Sequence, residues 1–563
     1  MPFLGHSRPG SAESGERLVR SGGQWNGSPA ASSLSLAHGG EQYTHDGSAD
    51  ILAQLDAQPL EEWEKRVEEK ESIKWSSARG WMNMGTIFIL CGGIVAVFLG
   101  VPIVKEYNKK TAGANVSGYN LGGINATGQF ASIGRDLIDP DTPSDAYTRT
   151  GFDGNQWNLV FSDEFELDGR TFFPGDDPYW EAVDLHYWGT NDYEWYDPRA
   201  ITTRDGKLVI TLSETVNHNL NYTSGMLQSW NKLCFSGSMY YEAKLLLPGN
   251  NEIGGFWPGV WAFGNLGRPG YGATTDGTWP YSYDSCDVGI LPNQTYLNGT
   301  GPDAALHNPA DGTALSYLPG MRWPSCTCPG EDHPGPDVSI GRGVPEVDMI
   351  EAQVLTDRKK GEVSQTLQIA PYDENWKFDN ASSDVANPDL TYWNTYTGGV
   401  YQQSCSGLTI IPDDVYQETG GVYTTYGYEL YANKDDRSNG YITWVADGVE
   451  SWTLHAPGLA PNPGTEVGQR LIPEEPMALV LNLGLSDNFQ WVDKEHLKFP
   501  AEMQFEYIRV YQREDYGSVG CDPKDYPTAD YIARHADAYN NPNLTTWAQT
   551  GSTVPKNRLR DGC

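Results

Sequence analysis

An all-β sandwich is the fold class the sequence predicts, on three observations. Leu208, Ile210 and Leu212 alternate with Lys207, Val209 and Thr211, and Tyr241, Ala243, Leu245 and Leu247 alternate with Tyr240, Glu242 and Lys244. That is the period-2 pattern of strands with one face buried. Asp447-Gly448, between Tyr441–Ala446 and Val449–Leu454, is a strong hairpin signal. No long 3.6-residue period interrupts residues 151–515, where Val363–Ala370, Tyr423–Ala432, Ala478–Leu485 and Met503–Gln512 add further strand-like runs.

The segments before this region read differently. Residues 1–50 are rich in Ser, Gly and Ala without apolar periodicity, as in a disordered tail, and no apolar run behind Met1 suggests a cleaved signal peptide. Within the 1–79 tail, Leu60, Trp63 and Val67 lie at helical spacing among Glu and Lys, which predicts a short juxtamembrane helix. Residues 80–104 carry no charge, and the last twenty would span about 30 Å as a helix, the hydrocarbon thickness of a bilayer. A single signal-anchor helix is therefore expected, with the lipid bilayer as one partner.

Lys65, Arg66, Lys70, Lys74 and Arg79 precede the span, against Lys105, Lys109 and Lys110 after it, which places the N-terminus in the cytosol. The sequons at Asn115, Asn125, Asn221, Asn293, Asn298, Asn380 and Asn543 all follow the span. The expectation is a type II protein of the secretory pathway, its large C-terminal part lumenal or extracellular behind a Gly-, Ser- and Asn-rich stem at 105–150.

The formal net charge is −36, most of it after the span. Such a field repels nucleic acid, so no nucleic-acid partner is expected, whereas a neutral polysaccharide is compatible with it. The 19 Trp and 32 Tyr suit stacking on sugar rings, and suit a sandwich core equally.

One stretch carries chemistry: Pro345-Glu346-Val347-Asp348-Met349-Ile350-Glu351-Ala352. In a regular strand Glu346 and Asp348 share one face and Glu351 falls on the other. A single β-bulge between Asp348 and Glu351 would bring all three to one side. Two inward-leaning glutamates at this spacing can approach the roughly 5–5.5 Å of a retaining glycosidase, and the inverting range of about 6.5–9.5 Å is also reachable. A solvated strand face is the bland alternative, but three acids on one face repel each other and stabilise nothing.

Between Trp261 and Glu346 lies a long stretch dense in Gly, Pro and Asn, which needs staples to be compact. Cys286, Cys326 and Cys328 lie in it, and Cys234, Cys405, Cys521 and Cys563 elsewhere after the span make seven. An oxidising lumen favours disulfides. Cys326 and Cys328 are too close to bond each other without strain, so each is expected to pair elsewhere, with Cys286, Cys234 or Cys405, leaving one cysteine free or in an intermolecular bond. Zinc held by Cys326, Cys328 and His333 is the alternative that this compartment disfavours, and no metal or other cofactor is expected. After Gln512, in the C-terminal extension at 516–563, Asp525–Ala538 can form a helix capped near Thr528.

The E-x-D-x-x-E stretch and the upstream Gly254-Gly255-Phe256-Trp257-Pro258-Gly259-Val260-Trp261 resemble glycoside hydrolase family 16, the laminarinase-like β-glucanases. More narrowly, Gly264-Asn265-Leu266-Gly267-Arg268-Pro269-Gly270-Tyr271-Gly272-Ala273 and Cys326-Thr327-Cys328-Pro329-Gly330-Glu331-Asp332-His333 resemble the fungal β-1,6-glucan synthesis-associated membrane protein family. The resemblance covers about residues 80–545. It implies a jelly-roll sandwich with a β-glucan cleft, Glu346 as nucleophile, Glu351 as acid/base and Asp348 as the nucleophile's neighbour.

Trp257 and Trp261 are candidate sugar platforms or core residues; Arg268 either binds sugar hydroxyls or holds the inserted segment. Laminarinase-like relatives usually carry a histidine on the next strand, where Gln365 and Gln368 stand here as candidates to orient sugar hydroxyls without titrating. Two functions follow as expectations: a membrane-anchored glycosidase or transglycosylase of wall assembly, or a non-hydrolytic glucan-binding scaffold using the same cleft.

Overall fold

The computed structural model describes residues 136–307, 314–373 and 381–563. The expected membrane span, the tail before it, most of the stem and the sequons at Asn115, Asn125 and Asn380 lie outside the described residues. Among the described residues no helix is long and apolar enough to cross a membrane.

Two antiparallel sheets form a sandwich. We number its long strands β1 (Gln156–Asp163), β2 (Lys207–Leu212), β3 (Ser238–Leu246), β4 (Phe256–Gly264), β5 (Glu346–Leu355) and β6 (Lys360–Ile369). They continue with β7 (Gln402–Ile411), β8 (Thr424–Tyr431), β9 (Tyr441–Ala446), β10 (Val449–His455), β11 (Met477–Leu485) and β12 (Ala501–Arg513). The back sheet runs β1–β12–β3–β8–β9–β10, with β2 also paired to β12; the front sheet runs β7–β6–β5–β4–β11. The β9–β10 hairpin turns at Asp447 and Gly448, with φ of 52° and 74°, the left-handed pair that a two-residue primed turn requires.

One apolar core takes side chains from both sheets: Leu208, Ile210, Tyr241 and Trp444 from the back, Val347, Met349, Val363 and Leu367 from the front. Each large apolar side chain buried here contributes about 1.5–3 kcal/mol. The outer face of the front sheet carries a second, aromatic layer. There Trp261 and Phe263 of β4 pack with Tyr271, Trp279 and Trp323 of the inserted segment and with Tyr531, Tyr539 and Trp547 of the C-terminal extension. The extension thus packs behind the inserted segment and reaches the cleft at Thr545.

The helix expected over Asp525–Ala538 is two short ones, Ala529–Arg534 and Ala536–Asn540, separated at His535. Thr528 does not cap the first with its side chain; its hydroxyl donates to the Cys521 carbonyl. Asp522 takes the cap instead, accepting the N–H groups of Thr528 and Ala529 at 2.7 and 2.9 Å.

The disulfides are Cys286–Cys326, Cys328–Cys563 and Cys234–Cys521. The first matches the expected staple. The other two correct the expectation, because both draw their partners from the extension, whose packing brings together cysteines 235 and 287 residues apart. Cys326 and Cys328, both bonded, hold no zinc. Cys405, a disulfide candidate by sequence, is free and buried in the middle of β7, where it pairs across to Leu367 and burial pushes its thiol pKa up. Thiol labelling of the native protein should leave Cys405 unmodified and label it on unfolding, while non-reducing peptide maps yield the three bridges; rapid native labelling of Cys405 would contradict this packing.

Candidate active site

The bulge in β5 organises the cleft. On the β6 side Asp348 faces Thr366 and Glu351 faces Ser364; on the β4 side Trp261 faces Asp348 and Val260 faces Ile350. Both neighbours therefore see one extra residue, between Asp348 and Glu351. Val347, Met349, Ile350 and Ala352 go into the core, while Glu346, Asp348 and Glu351 line one cleft.

Indole N–H groups reach the two glutamates. Trp279, from the inserted segment, donates to Glu346 Oε2 at 2.6 Å, and Trp257 donates to Glu351 Oε1 at 3.1 Å. Gln368, opposite Glu346 on β6, donates to Asp348 Oδ2 at 3.2 Å. Trp257 also stacks on Phe489 with ring centroids 4.5 Å apart. Trp261 lines the cleft as well, donating to Asn482 Oδ1 at 2.8 Å, and Asn482 donates to the Tyr196 hydroxyl. Gly259 lies between Asn482 and Glu351 on the neighbouring strands; a Cβ there would come within 2.8 Å of the Asn482 amide oxygen, so only glycine leaves this floor open.

Two sequence candidates lie off the cleft. Arg268 is buried, donating to the Tyr539 carbonyl at 2.6 Å and to Glu181 at 3.0 Å between the rings of Tyr271 and Trp230, so it holds the inserted segment and the extension rather than sugar. Gln365 falls on the opposite face of β6 and bonds to Met349, Val445 and Ser451 inside the sandwich. Strand alternation separates it from Gln368. Conversely, sequence reasoning missed Trp279, Tyr187, Thr190, Asp192, Tyr196 and Asn482, all of which line the cleft. Asn482 alone carried a local signal, a lone amide inside the apolar Ala478–Leu485 run. Asp192 accepts from Thr190 at 2.6 Å and from Tyr196 at 3.1 Å, and burial raises its pKa to about 6.

Electrostatically the trio is a crowded acid cluster, with Asp348 buried and Glu346 and Glu351 half-buried at the cleft. Burial, then the charge of Glu351, raises Glu346 to about 8; burial raises Glu351 to about 7; Asp348 is raised well above the ordinary carboxylate range by burial and by both glutamates. With Glu351 raised to about 7, Glu346 to about 8 and Asp348 further still, the trio holds less than one negative charge at neutral pH. Trp279 and Asp348 donate to Glu346 and Trp257 donates to Glu351, so each glutamate has a donor for its charged form.

This cluster makes stability pH-dependent. Carboxyls whose pKa is raised by folding stabilise the fold fully below their ordinary value of 4.5, and that contribution is lost as pH rises through about 7 and 8. The unfolding midpoint should therefore fall from pH 5 to pH 9. Glu351→Gln should flatten that fall by an amount on the order of 1–3 kcal/mol; a variant curve parallel to wild type would contradict the assignment.

Residues 41–563 match the family described as "Beta-glucan synthesis-associated protein SKN1/KRE6/Sbg1". The chain is 47% identical over 438 residues to the β-glucan synthesis-associated protein KRE6 of Saccharomyces cerevisiae, covering 77% of this chain and 58% of that protein. It is 41% identical over 538 residues to SKN1 of the same yeast, covering 93% of this chain and 66% of that protein. The chain thus spans less than two thirds of the length of either relative. Among solved structures, the endo-β-1,3-glucanase of Pyrococcus furiosus is similar with a TM-score of 0.38 and 17% identity, over 66% of this chain and 98% of that one. With the family matched over almost its whole length, the chain belongs to the SKN1/KRE6/Sbg1 family of β-glucan synthesis-associated proteins.

Proposed function

We propose that the protein is a retaining glycosidase or transglycosylase that remodels β-glucan, including β-1,6-linked glucan, during fungal cell-wall assembly. The bulge that turns Glu346, Asp348 and Glu351 into one cleft carries this reading. In the reactive form Glu346 is the carboxylate and attacks the anomeric carbon; Glu351, protonated in that form, gives its proton to the departing glycosidic oxygen and then takes one from the acceptor, water or a sugar hydroxyl. Asp348 holds the proton that keeps Glu346 oriented. Trp279 and Trp257 aim the two glutamates through their N–H groups.

A second reading, a glucan-binding scaffold without turnover, is favoured by one observation. No histidine stands beside the trio on β6, where Ser364 faces Glu351 and Gln368 faces Glu346. Incubating the full-length protein with β-1,3- and β-1,6-linked glucan oligosaccharides separates the two. New chain lengths formed with retained anomeric configuration support the enzyme; saturable binding with unaltered chains supports the scaffold.

The same proposal places the C-terminal domain in the secretory lumen or outside the cell, behind the span at residues 80–104. Three disulfides and the exposure of Asn221, Asn293, Asn298 and Asn543 support this topology. External protease on sealed microsomes should remove only the segment before the span, and enzymatic deglycosylation should lower the protein's mass; protection of the N-terminal tail would reverse the orientation.

A further inference from the structure

A second bulge lies directly behind the active strand. In the β9–β10 hairpin Trp444 faces Trp452 and Val445 faces Glu450, so Ser451 is the extra residue. Two side chains join this bulge to the one in β5 through the core. The indole N–H of Trp444 crosses between the sheets to donate to the Asp348 carbonyl at 2.9 Å. The Gln365 amide donates to the Met349 carbonyl at 3.2 Å and to the Val445 carbonyl at 2.9 Å. Ser451 completes the set, its hydroxyl within 2.5 Å of Gln365 Oε1 and 3.1 Å of the Trp444 carbonyl.

The three side chains, and the residues whose four carbonyls they meet (Asp348, Met349, Trp444 and Val445), are all buried. A β-bulge leaves its extra residue outside the ladder, and a buried carbonyl without a donor is costly, so a bulge in a sandwich core persists only where side chains satisfy it. Here the two bulges satisfy each other. Trp444 is also fixed in place, stacked on Trp452 with ring centroids 4.1 Å apart. Neither Gln365 nor Trp444 lines the cleft, so neither meets substrate.

We propose that Gln365, Trp444 and Ser451 form a clamp between the two bulges, and that Gln365 and Trp444 are positioning residues that hold Glu346, Asp348 and Glu351 on one face of β5. The inference rests on the reading of the trio as the reacting carboxylates. Without the clamp, β5 gains from reverting to regular pairing, and a regular strand turns Glu351 away from Glu346.

The test uses full-length Gln365→Met, which keeps volume and removes the donor, and Trp444→Phe, which removes the indole N–H with part of the ring, with Leu454→Ala as a cavity-forming core control in the same sheet. The unfolding midpoint is followed from pH 5 to pH 9. A merely structural role lowers the whole curve, as the control should, and leaves its slope intact. Loss of the clamp flattens the slope as well, because the carboxyls leave their crowded burial and titrate nearer the ordinary glutamate range. In the glucan-transfer assay kcat should fall about 10²-fold in both variants while KM stays within about twofold, the pattern of misaligned reacting groups. Curves parallel to wild type, or an unchanged kcat, overturn the clamp. Should the wild-type protein show no turnover, the functional reading fails and the pH slope alone decides the clamp. If either variant does not fold, Ser451→Ala, which removes one hydroxyl, should give the same flattening at a smaller amplitude, and a parallel curve there overturns the proposal.

Discussion

Glu346→Gln is expected to reduce glucan transfer by at least about 10³-fold while oligosaccharide affinity stays within a few-fold of wild type. The substitution keeps the side chain's size and still accepts the Trp279 N–H, so the cleft survives; what is lost is the carboxylate that the proposed mechanism uses as nucleophile. Glu351→Gln should cost about 10²–10⁴-fold with a natural glucan and far less with an aryl glycoside whose leaving group needs no proton. That difference between substrates assigns the two roles. Cell-wall β-glucan content offers the same comparison in cells carrying either variant at normal protein level. Full function in both would remove catalysis from the cleft and leave it as a binding site.

The second large effect lies outside the carboxylates. Arg342 is fully buried and forms a bidentate pair with Glu475, both contacts at 2.7 Å. It also donates to the Gly335 carbonyl at 2.6 Å and to that of Pro527 at 3.0 Å. One side chain thus joins the end of the inserted segment, the approach to β11 and the C-terminal extension, four residues before Glu346. Arg342→Met strands the Glu475 carboxylate in the interior and should cost about 3–5 kcal/mol in denaturant unfolding. The double variant Arg342→Met/Glu475→Leu should regain part of that loss, since no lone charge remains. A single variant within about 1 kcal/mol of wild type would show that water reaches Glu475.

The trio was legible in the sequence because its geometry is local: strand alternation plus one bulge decides which way six residues face. Gln365 and Gln368 were separable by the same alternation, which sets them on opposite faces of β6. Trp279 was not legible, because its approach to Glu346 depends on the path of the inserted segment. The Cys234–Cys521 and Cys328–Cys563 bridges were hidden for a related reason, since spacing along the chain says nothing about partners brought in by tertiary packing. The extension itself offered no motif, and its packing on the inserted segment follows from aromatic contacts made far away in sequence.

That packing sets a timetable for biosynthesis. Trp547 docks on Asp276 across 271 residues, and Tyr539 on the Leu266 carbonyl across 273. At roughly 5–20 residues per second, the inserted segment leaves the ribosome about 15–50 s before its covering aromatics exist. Through that interval the rings of Tyr271, Trp279 and Trp323 have no partner from the extension, a sticky surface on a nascent chain. Trp279, which aims Glu346, is among them. The outer layer is therefore finished last, after the sandwich beneath it, and a growing chain has its acids before the extension packs on the segment that carries Trp279.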